Sequence, residues 1–185
     1  MPKRRWNRDC AVELMTKNKQ GCLLFDWGDT LMRVFPDFDG PMTTWPKVEM
    51  IPDAREVLEE LCSTWTIALA TNAQDSTEDE IREALALVGL HALIDEVYCY
   101  QRIGVKKPSR AFFQYIFDEL AIDATDAVMI GDSYAADVEG ALAMGMRAIW
   151  FNPRSDEDRA GEMVRTVHSL KELPDVLKAW DAVGE

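Results

Sequence analysis

Asp26, Thr71, Lys107 and Asp132 are the residues of this chain whose types could do chemistry together, and all follow short apolar runs or sit in the loops beyond them. Asp26 closes the run Leu23-Leu24-Phe25 and is followed by Trp27-Gly28-Asp29-Thr30. Asp132 and Asp137 lie in Gly131-Asp-Ser-Tyr-Ala-Ala-Asp137, and Asn72 directly follows Thr71. Singly, each has a plainer explanation. Asp is favoured in turns, and Asp132 and Asp137 are good helix N-cap and first-turn residues. Together they put three carboxylates near one edge, and like charges so placed need a cation. An all-oxygen set of carboxylates and water suits magnesium. A hydroxyl, an amide, an ammonium and a metal would supply the donors and positive charge that a phosphate requires.

The elements that must position these residues alternate in type. Gly21 to Asp26, Thr66 to Thr71, Glu96 to Tyr100, Ala127 to Gly131 and Arg147 to Phe151 read as buried strands. Between them, Val57, Leu58 and Leu61 recur at helical spacing behind a capping-box pattern at Asp53 and Glu56. A second such box, Thr77 and Glu80, precedes Ile81, Ala84 and Leu85, with Gly89 as the stop. Phe112, Phe113, Ile116, Phe117 and Leu120 form one stripe, and a further helix begins near Ala135. The tail after Asp156 reads as a solvated loop and short helical pieces broken near Pro174. Such alternation implies right-handed crossovers and an α/β, Rossmann-like three-layer sandwich with a mainly parallel sheet. In such sheets ligands bind at the carboxyl ends of the strands.

Residues 33 to 52 interrupt this pattern. Pro36, Pro41, Pro46 and Pro52 argue against a helix, while Phe35, Phe38, Met42 and Trp45 argue against a plain solvated linker. The segment is expected to be a loop-type minimal cap over the site, leaving little or no cap domain. The expected division is an N-terminal extension, residues 1–20, and one catalytic domain, residues 21–185.

The chain's 185 residues suit that single domain, and 20 Lys and Arg against 33 Asp and Glu give a net charge of -13. Such a field repels nucleic acid and anionic membrane, so neither is expected as a partner, and any phosphorylated ligand must be held by local charge. The four cysteines show no CxxC pairing. No stretch approaches a membrane span, and no apolar region follows the basic Lys3-Arg4-Arg5, so a cytoplasmic location is expected. His91 and His168 fall outside the inferred site, and Trp150 reads as a core or boundary residue.

The order of these motifs resembles the haloacid dehalogenase-like superfamily of Asp-nucleophile hydrolases, whose members carry a DxDxT-like first motif, a later Thr or Ser, a Lys ahead of a helix, and an acidic pair such as GDxxxxD. This chain has Asp26 and Thr30, then Thr71, then Lys107 before Pro108, then Asp132 and Asp137. The resemblance spans about residues 21 to 151. It implies that Asp26 is the nucleophile, that Asp26, Asp132 and the Gly28 carbonyl hold magnesium, that Thr71 and Lys107 bind phosphate, and that Asp137 supports the metal or Lys107.

The sequence departs from that pattern at Gly28, where the family usually carries its general acid. Asp29 stands one residue later, where the family often has glycine. Loss of a positioned acid costs about 10² to 10⁴ in rate for a poor leaving group. Three readings follow: Asp29 serves through an altered turn, the substrate is an acyl or aryl phosphate, or turnover is slow. The expected function is magnesium-dependent hydrolysis of a phosphate monoester or acyl phosphate through an aspartyl-phosphate, with Asp26, Asp29 and Lys107 as catalytic residues. A phosphorylated small molecule or macromolecule would be the substrate. The alternative is a magnesium- and phosphate-binding regulatory protein with little turnover.

Overall fold

A computed structural model describes residues 19–181. The proposed N-terminal extension therefore lies almost wholly outside the described residues. Six strands form one sheet, β1 (Cys22–Phe25), β2 (Thr66–Ala70), β3 (Glu96–Tyr98), β4 (Ala127–Gly131), β5 (Arg147–Phe151) and β6 (Val164–Val167), in the order β3-β2-β1-β4-β5-β6. Every pairing is parallel. The order turns back on itself at β1 and β4, and this is the switch point at which α/β sheets open a crevice.

Alternate side chains of each strand go to opposite faces, which is why the central strands are continuous apolar runs. Leu23, Phe25, Ile67, Leu69, Val128 and Ile130 pack on one side beneath helices α1 (Ala54–Leu61), α2 (Glu78–Leu87) and α6 (Leu173–Asp181). Leu24, Ala68, Ala70 and Met129 face the other side, against Phe112, Phe113 and Ile116 of α4 (Arg110–Leu120). Each of the fully buried Leu, Ile, Val, Phe and Met side chains contributes about 1.5–3 kcal/mol. The three-layer α/β sandwich expected from the sequence is the fold.

Local signals explain most of the ends. Thr77 accepts from the Glu80 backbone N–H while Glu80 returns a bond to Thr77, and Gly89 takes a φ of 72° beyond α2. Asp53 does not cap α1 as expected: it sits in the left-handed region at φ 67° and makes no side-chain cap bond. Its carboxylate instead pairs with Lys171 at 2.8 Å.

The end of β3 and the tail also differ from expectation. β3 stops at Tyr98, and Tyr100–Ile103 forms the short helix α3. In the tail, β6 adds a four-residue edge strand whose first three residues are only half-buried, so no apolar run announces it. Pro174 does not break the final helix but sits in its first turn, where a missing N–H costs nothing.

Residues 33 to 52 form an irregular loop with one helical turn, Met42–Thr44. Its ends are joined by backbone bonds from Arg33 to Glu49 and from Ile51 to Leu31. Phe35, Phe38 and Trp45 pack on one another with ring centroids 5.3 to 6.2 Å apart. The Trp45 indole N–H is shared between the Asp39 and Gly40 carbonyls. The loop thus carries its own small aromatic core. No helix among the described residues is long and apolar enough to cross a membrane.

Candidate active site

Strand β1 delivers Asp26 one step beyond its end, where the Asp26 N–H still donates to the Ile130 carbonyl of β4. The chain then turns tightly, with the Leu31 and Met32 N–H groups both donating to the Trp27 carbonyl. This turn buries Thr30 completely and aims its hydroxyl at the next loop, where it accepts from the Asp132 N–H at 3.1 Å. From the other side the Trp150 indole donates to the Asp132 carbonyl at 2.9 Å. Asp132 is therefore held at both ends of its peptide by residues remote in sequence. Trp150, expected only in the core or at its boundary, is one of them.

Lys107 is the centre of the site. Its Nζ donates to Asp26 Oδ1 and to Asp137 Oδ1, both at 2.7 Å, and its side chain is 1% exposed. Asn72 fixes the Lys107 backbone by accepting from its N–H at 2.8 Å and donating to its carbonyl at 3.0 Å. The Asn72 side chain is thus committed to the lysine loop. Thr71 is buried beside it, and its hydroxyl accepts from the Ala73 N–H.

Asp137 reaches this point from a π-helical turn, Tyr134–Glu139, that runs on into α5 (Gly140–Leu142). Its second oxygen accepts from the Ser133 N–H at 3.0 Å. A Cβ on Gly131 would collide with this carboxylate, so the glycine before Asp132 is required by close approach.

One oxygen each from Asp26, Asp132 and Asp137 lies within 4.8 Å of the others. Hard oxygen donors in this number fit a divalent cation such as magnesium. Burial opposes the Lys107 charge, but Asp26 and then Asp137 outweigh it and hold the ammonium above its usual range. Burial first, then the Asp26 charge, pushes the Asp132 carboxyl up to about 6, with Arg154 pulling the other way. Burial likewise raises Asp137, against the pull of Lys107. A bound cation would relieve that repulsion.

The turn at residues 28 and 29 has a different character. Gly28 lies outside the left-handed region, whereas Asp29 occupies it at φ 55°. Asp29 Oδ1 accepts from the Val34 N–H at 3.0 Å, and Oδ2 pairs with Arg154 at 2.5 Å. Both Asp29 oxygens are thus engaged, and Asp29 is not part of the carboxylate cluster. Arg154 also lies 3.8 Å from Asp132 Oδ2. Sequence reasoning missed Arg154, although Asn152-Pro153-Arg154 directly follows an apolar strand, the signal that marked Asp26. His168 is exposed and donates from Nδ1 to the Asn152 carbonyl at 2.7 Å, since a carbonyl can only accept.

With this geometry in view, the chain's relatives are informative. It is 32% identical over 134 residues to ribulose-1,5-bisphosphate 5-phosphatase of Halopiger xanaduensis, covering 69% of this chain and 55% of that one. It is 30% identical over 178 residues to N-acylneuraminate-9-phosphatase of Homo sapiens, covering 93% of this chain and 71% of that one. A solved structure of an uncharacterized protein from Listeria monocytogenes serotype 4b matches with a TM-score of 0.77 at 29% identity, over 88% of this chain and 99% of that one. The chain spans 55% of the length of the first relative and little more than half that of several others. Residues 14–151, which include all four motif stretches, match the sequence pattern of the haloacid dehalogenase-like hydrolases, and the chain belongs to that family.

Proposed function

We propose that this chain is a magnesium-dependent phosphatase acting on a small phosphate monoester or acyl phosphate, with Asp26 as the nucleophile. The observation that carries this reading is the position of Asp26. Its carboxylate lies 2.7 Å from a buried ammonium and within the same 4.8 Å cluster as two further carboxylates. An anion-bearing electrophile drawn to that ammonium would meet a carboxylate that is 14% exposed at the end of the sheet. Both phosphatases compared above are named for small phosphorylated compounds, which supports the substrate class.

Asp26, Asp132 and the Gly28 carbonyl would hold magnesium, with Asp137 supporting the ion or Lys107. Bound there, magnesium supplies positive charge against the phosphoryl oxygens. An Asp26 oxygen attacks phosphorus as the bond to the leaving-group oxygen breaks, giving an aspartyl-phosphate. Water then attacks that phosphorus, releasing phosphate and restoring the carboxylate. Lys107, the Thr71 hydroxyl and the Asn72 backbone N–H donate to the non-bridging oxygens, while the Asn72 side chain keeps Lys107 in place. Asp29 Oδ2, paired with Arg154, must release that guanidinium before it can carry a proton to a leaving group, while Oδ1 can keep its bond from the Val34 N–H. The reading therefore favours leaving groups that depart without a side-chain acid, such as acyl and aryl oxygens.

Gly28 favours a second reading, a phosphate- and magnesium-binding protein with little turnover; the retained Asp26, which binding alone does not need, opposes it. Phosphate release from para-nitrophenyl phosphate and acetyl phosphate, with and without magnesium, separates them. Magnesium-dependent release in wild type, lost in Asp26→Asn, is expected. Release that survives in Asp26→Asn would overturn the nucleophile, and magnesium-dependent capture of beryllium fluoride without any release would favour the binding protein.

A further inference from the structure

Beside the carboxylate cluster, along the same edge of the sheet, opens a cavity of about 310 Å³. That volume is within the range of small-molecule sites. Its floor is apolar, made by Ile51, Phe151 and Leu170, each under a tenth exposed. Its walls carry two guanidiniums, Arg33 and Arg154. In a chain of net charge -13, two arginines lining one cavity beside a candidate phosphate site offset the two carboxylates, Asp29 and Asp53, that line it with them. Of those carboxylates, Asp53 is paired with Lys171 at 2.8 Å and Asp29 with Arg154 itself.

Both arginines are held in ways a ligand can exchange. Arg33 pairs with Glu49 at 3.3 Å, and the two side chains are 46% and 47% exposed. Arg154 is 66% exposed and touches both Asp29 and Asp132 through Nη2. Exposed pairs of this kind contribute little to stability, so an incoming anion displaces the partner carboxylate at small cost. A guanidinium has five N–H donors in a planar fork matched to carboxylate and phosphate, and Nη2 accounts for two of them. Arg154 also joins the two regions, because it lies 3.8 Å from Asp132 while lining the cavity. A phosphoryl group at the cluster and a group in the cavity would then be two ends of one ligand.

We propose that this cavity receives the leaving group and selects phosphorylated compounds whose leaving group carries a second anion, a carboxylate or another phosphate, gripped by Arg154 and Arg33. The proposal rests on the phosphatase reading, which puts the phosphoryl group at the cluster and its leaving group in the cavity. The preference for a second anion is a property of binding and can be measured without turnover.

The test measures dissociation constants by calorimetry with magnesium present, in Asp26→Asn. The probes are para-carboxyphenyl phosphate, para-phenylene bisphosphate and the neutral-ended para-(hydroxymethyl)phenyl phosphate, which share one ring and differ at the distal end. At least one of the two doubly anionic probes is expected to bind about tenfold tighter than the neutral-ended one, the size of a charge-assisted contact. Whichever binds tighter identifies the carboxylate or the phosphate as the preferred anion. Adding Arg154→Gln is expected to bring that ratio below about threefold, and Arg33→Gln serves independently should the first variant fail to fold. Equal binding of all three probes, no binding of any, or a ratio unmoved by both arginine variants would overturn the proposal. The phosphatase reading fails separately, on absence of magnesium-dependent phosphate release in wild type, and leaves these ratios readable.

Discussion

Two ion-pair clusters stand side by side at the carboxyl edge of the sheet and are built to opposite specifications. In the Lys107 cluster the side chains are 1% to 14% exposed, and Lys107 ties Asp26 and Asp137 together from loops far apart in sequence. In the Asp29–Arg154 cluster they are 26% to 66% exposed, and the guanidinium reaches in from a loop over solvent. Burial makes the first expensive to disturb, because removing either charge strands the other away from water. Exposure makes the second cheap to rearrange, because water replaces whichever partner leaves. The first arrangement suits groups that must hold one geometry through a reaction. The second suits groups that meet ligands of different shapes.

The largest effect that would sharpen this contrast is on stability. Lys107→Met leaves Asp137 buried without its cation, and such a loss costs about 3–5 kcal/mol. Arg154→Met, which removes an equally formal charge from the exposed cluster, is expected to cost at most about 1 kcal/mol. Urea unfolding of the two variants in the same buffer measures the difference. Equal costs would mean that exposure does not distinguish the clusters.

The same contrast governs what could be read in the sequence. Strands β1, β2, β4 and β5 were legible because both faces are buried, so each is an apolar run whose polar terminus stands out. Asp26, Thr71 and Asp132 stand out by that contrast, and Lys107 by its loop ahead of a helix in the order of motifs that resembles the family's. The edge strand β6 was not legible, since a half-buried strand of four residues lacks such a run.

Nor were the bonds that make the site rigid. Thr30 meets Asp132 across 102 positions, and Asn72 meets Lys107 across 35. No local pattern encodes such pairings. Asn72 was expected to act on phosphate, and its type was a fair signal for the right place. What its side chain does there depends on a loop that the sequence leaves undrawn. The role of Arg154 is illegible for a related reason: its partner, Asp29, lies in a distant loop, and no local pattern encodes the pair.

Proton linkage gives a second, smaller measure of the buried side. Asp132 titrates at about 6 in the fold, against an ordinary value of 3.8. A raised carboxyl holds its proton more tightly folded than unfolded. Its contribution to stability is therefore full below about pH 4 and lost as pH rises through about 6. Without magnesium, Asp132→Asn is expected to gain about 1–2 kcal/mol on wild type between pH 4 and pH 7, the shift discounted for its partial exposure. Magnesium should reverse the balance above pH 6, where it meets an ionised carboxylate, and its affinity should fall about tenfold per unit below that. A stability difference between the variant and wild type that does not change with pH would show that burial and the Asp26 charge do not raise the Asp132 carboxyl.

The smallest expected change is at Asp29, and it tests the exposed cluster most directly. Asp29 holds a left-handed backbone at φ 55°, which costs a non-glycine residue about 1 kcal/mol and costs Gly nothing. Asp29→Gly recovers that term. It loses the bond from the Val34 N–H, worth about 0.5–1 kcal/mol, the exposed pair with Arg154, worth less, and the extra chain entropy of glycine. The gains and losses nearly cancel, so the melting point should move by the equivalent of about 1 kcal/mol or less. A cost above about 2 kcal/mol would make Asp29 a structural element of the turn, and the likeness of the two clusters would then outweigh their difference. A near-zero cost would show that the fold tolerates either residue in the left-handed position. What Asp29 adds there would then be its hold on Arg154, a charge stationed at the mouth and free to move when a competing anion arrives.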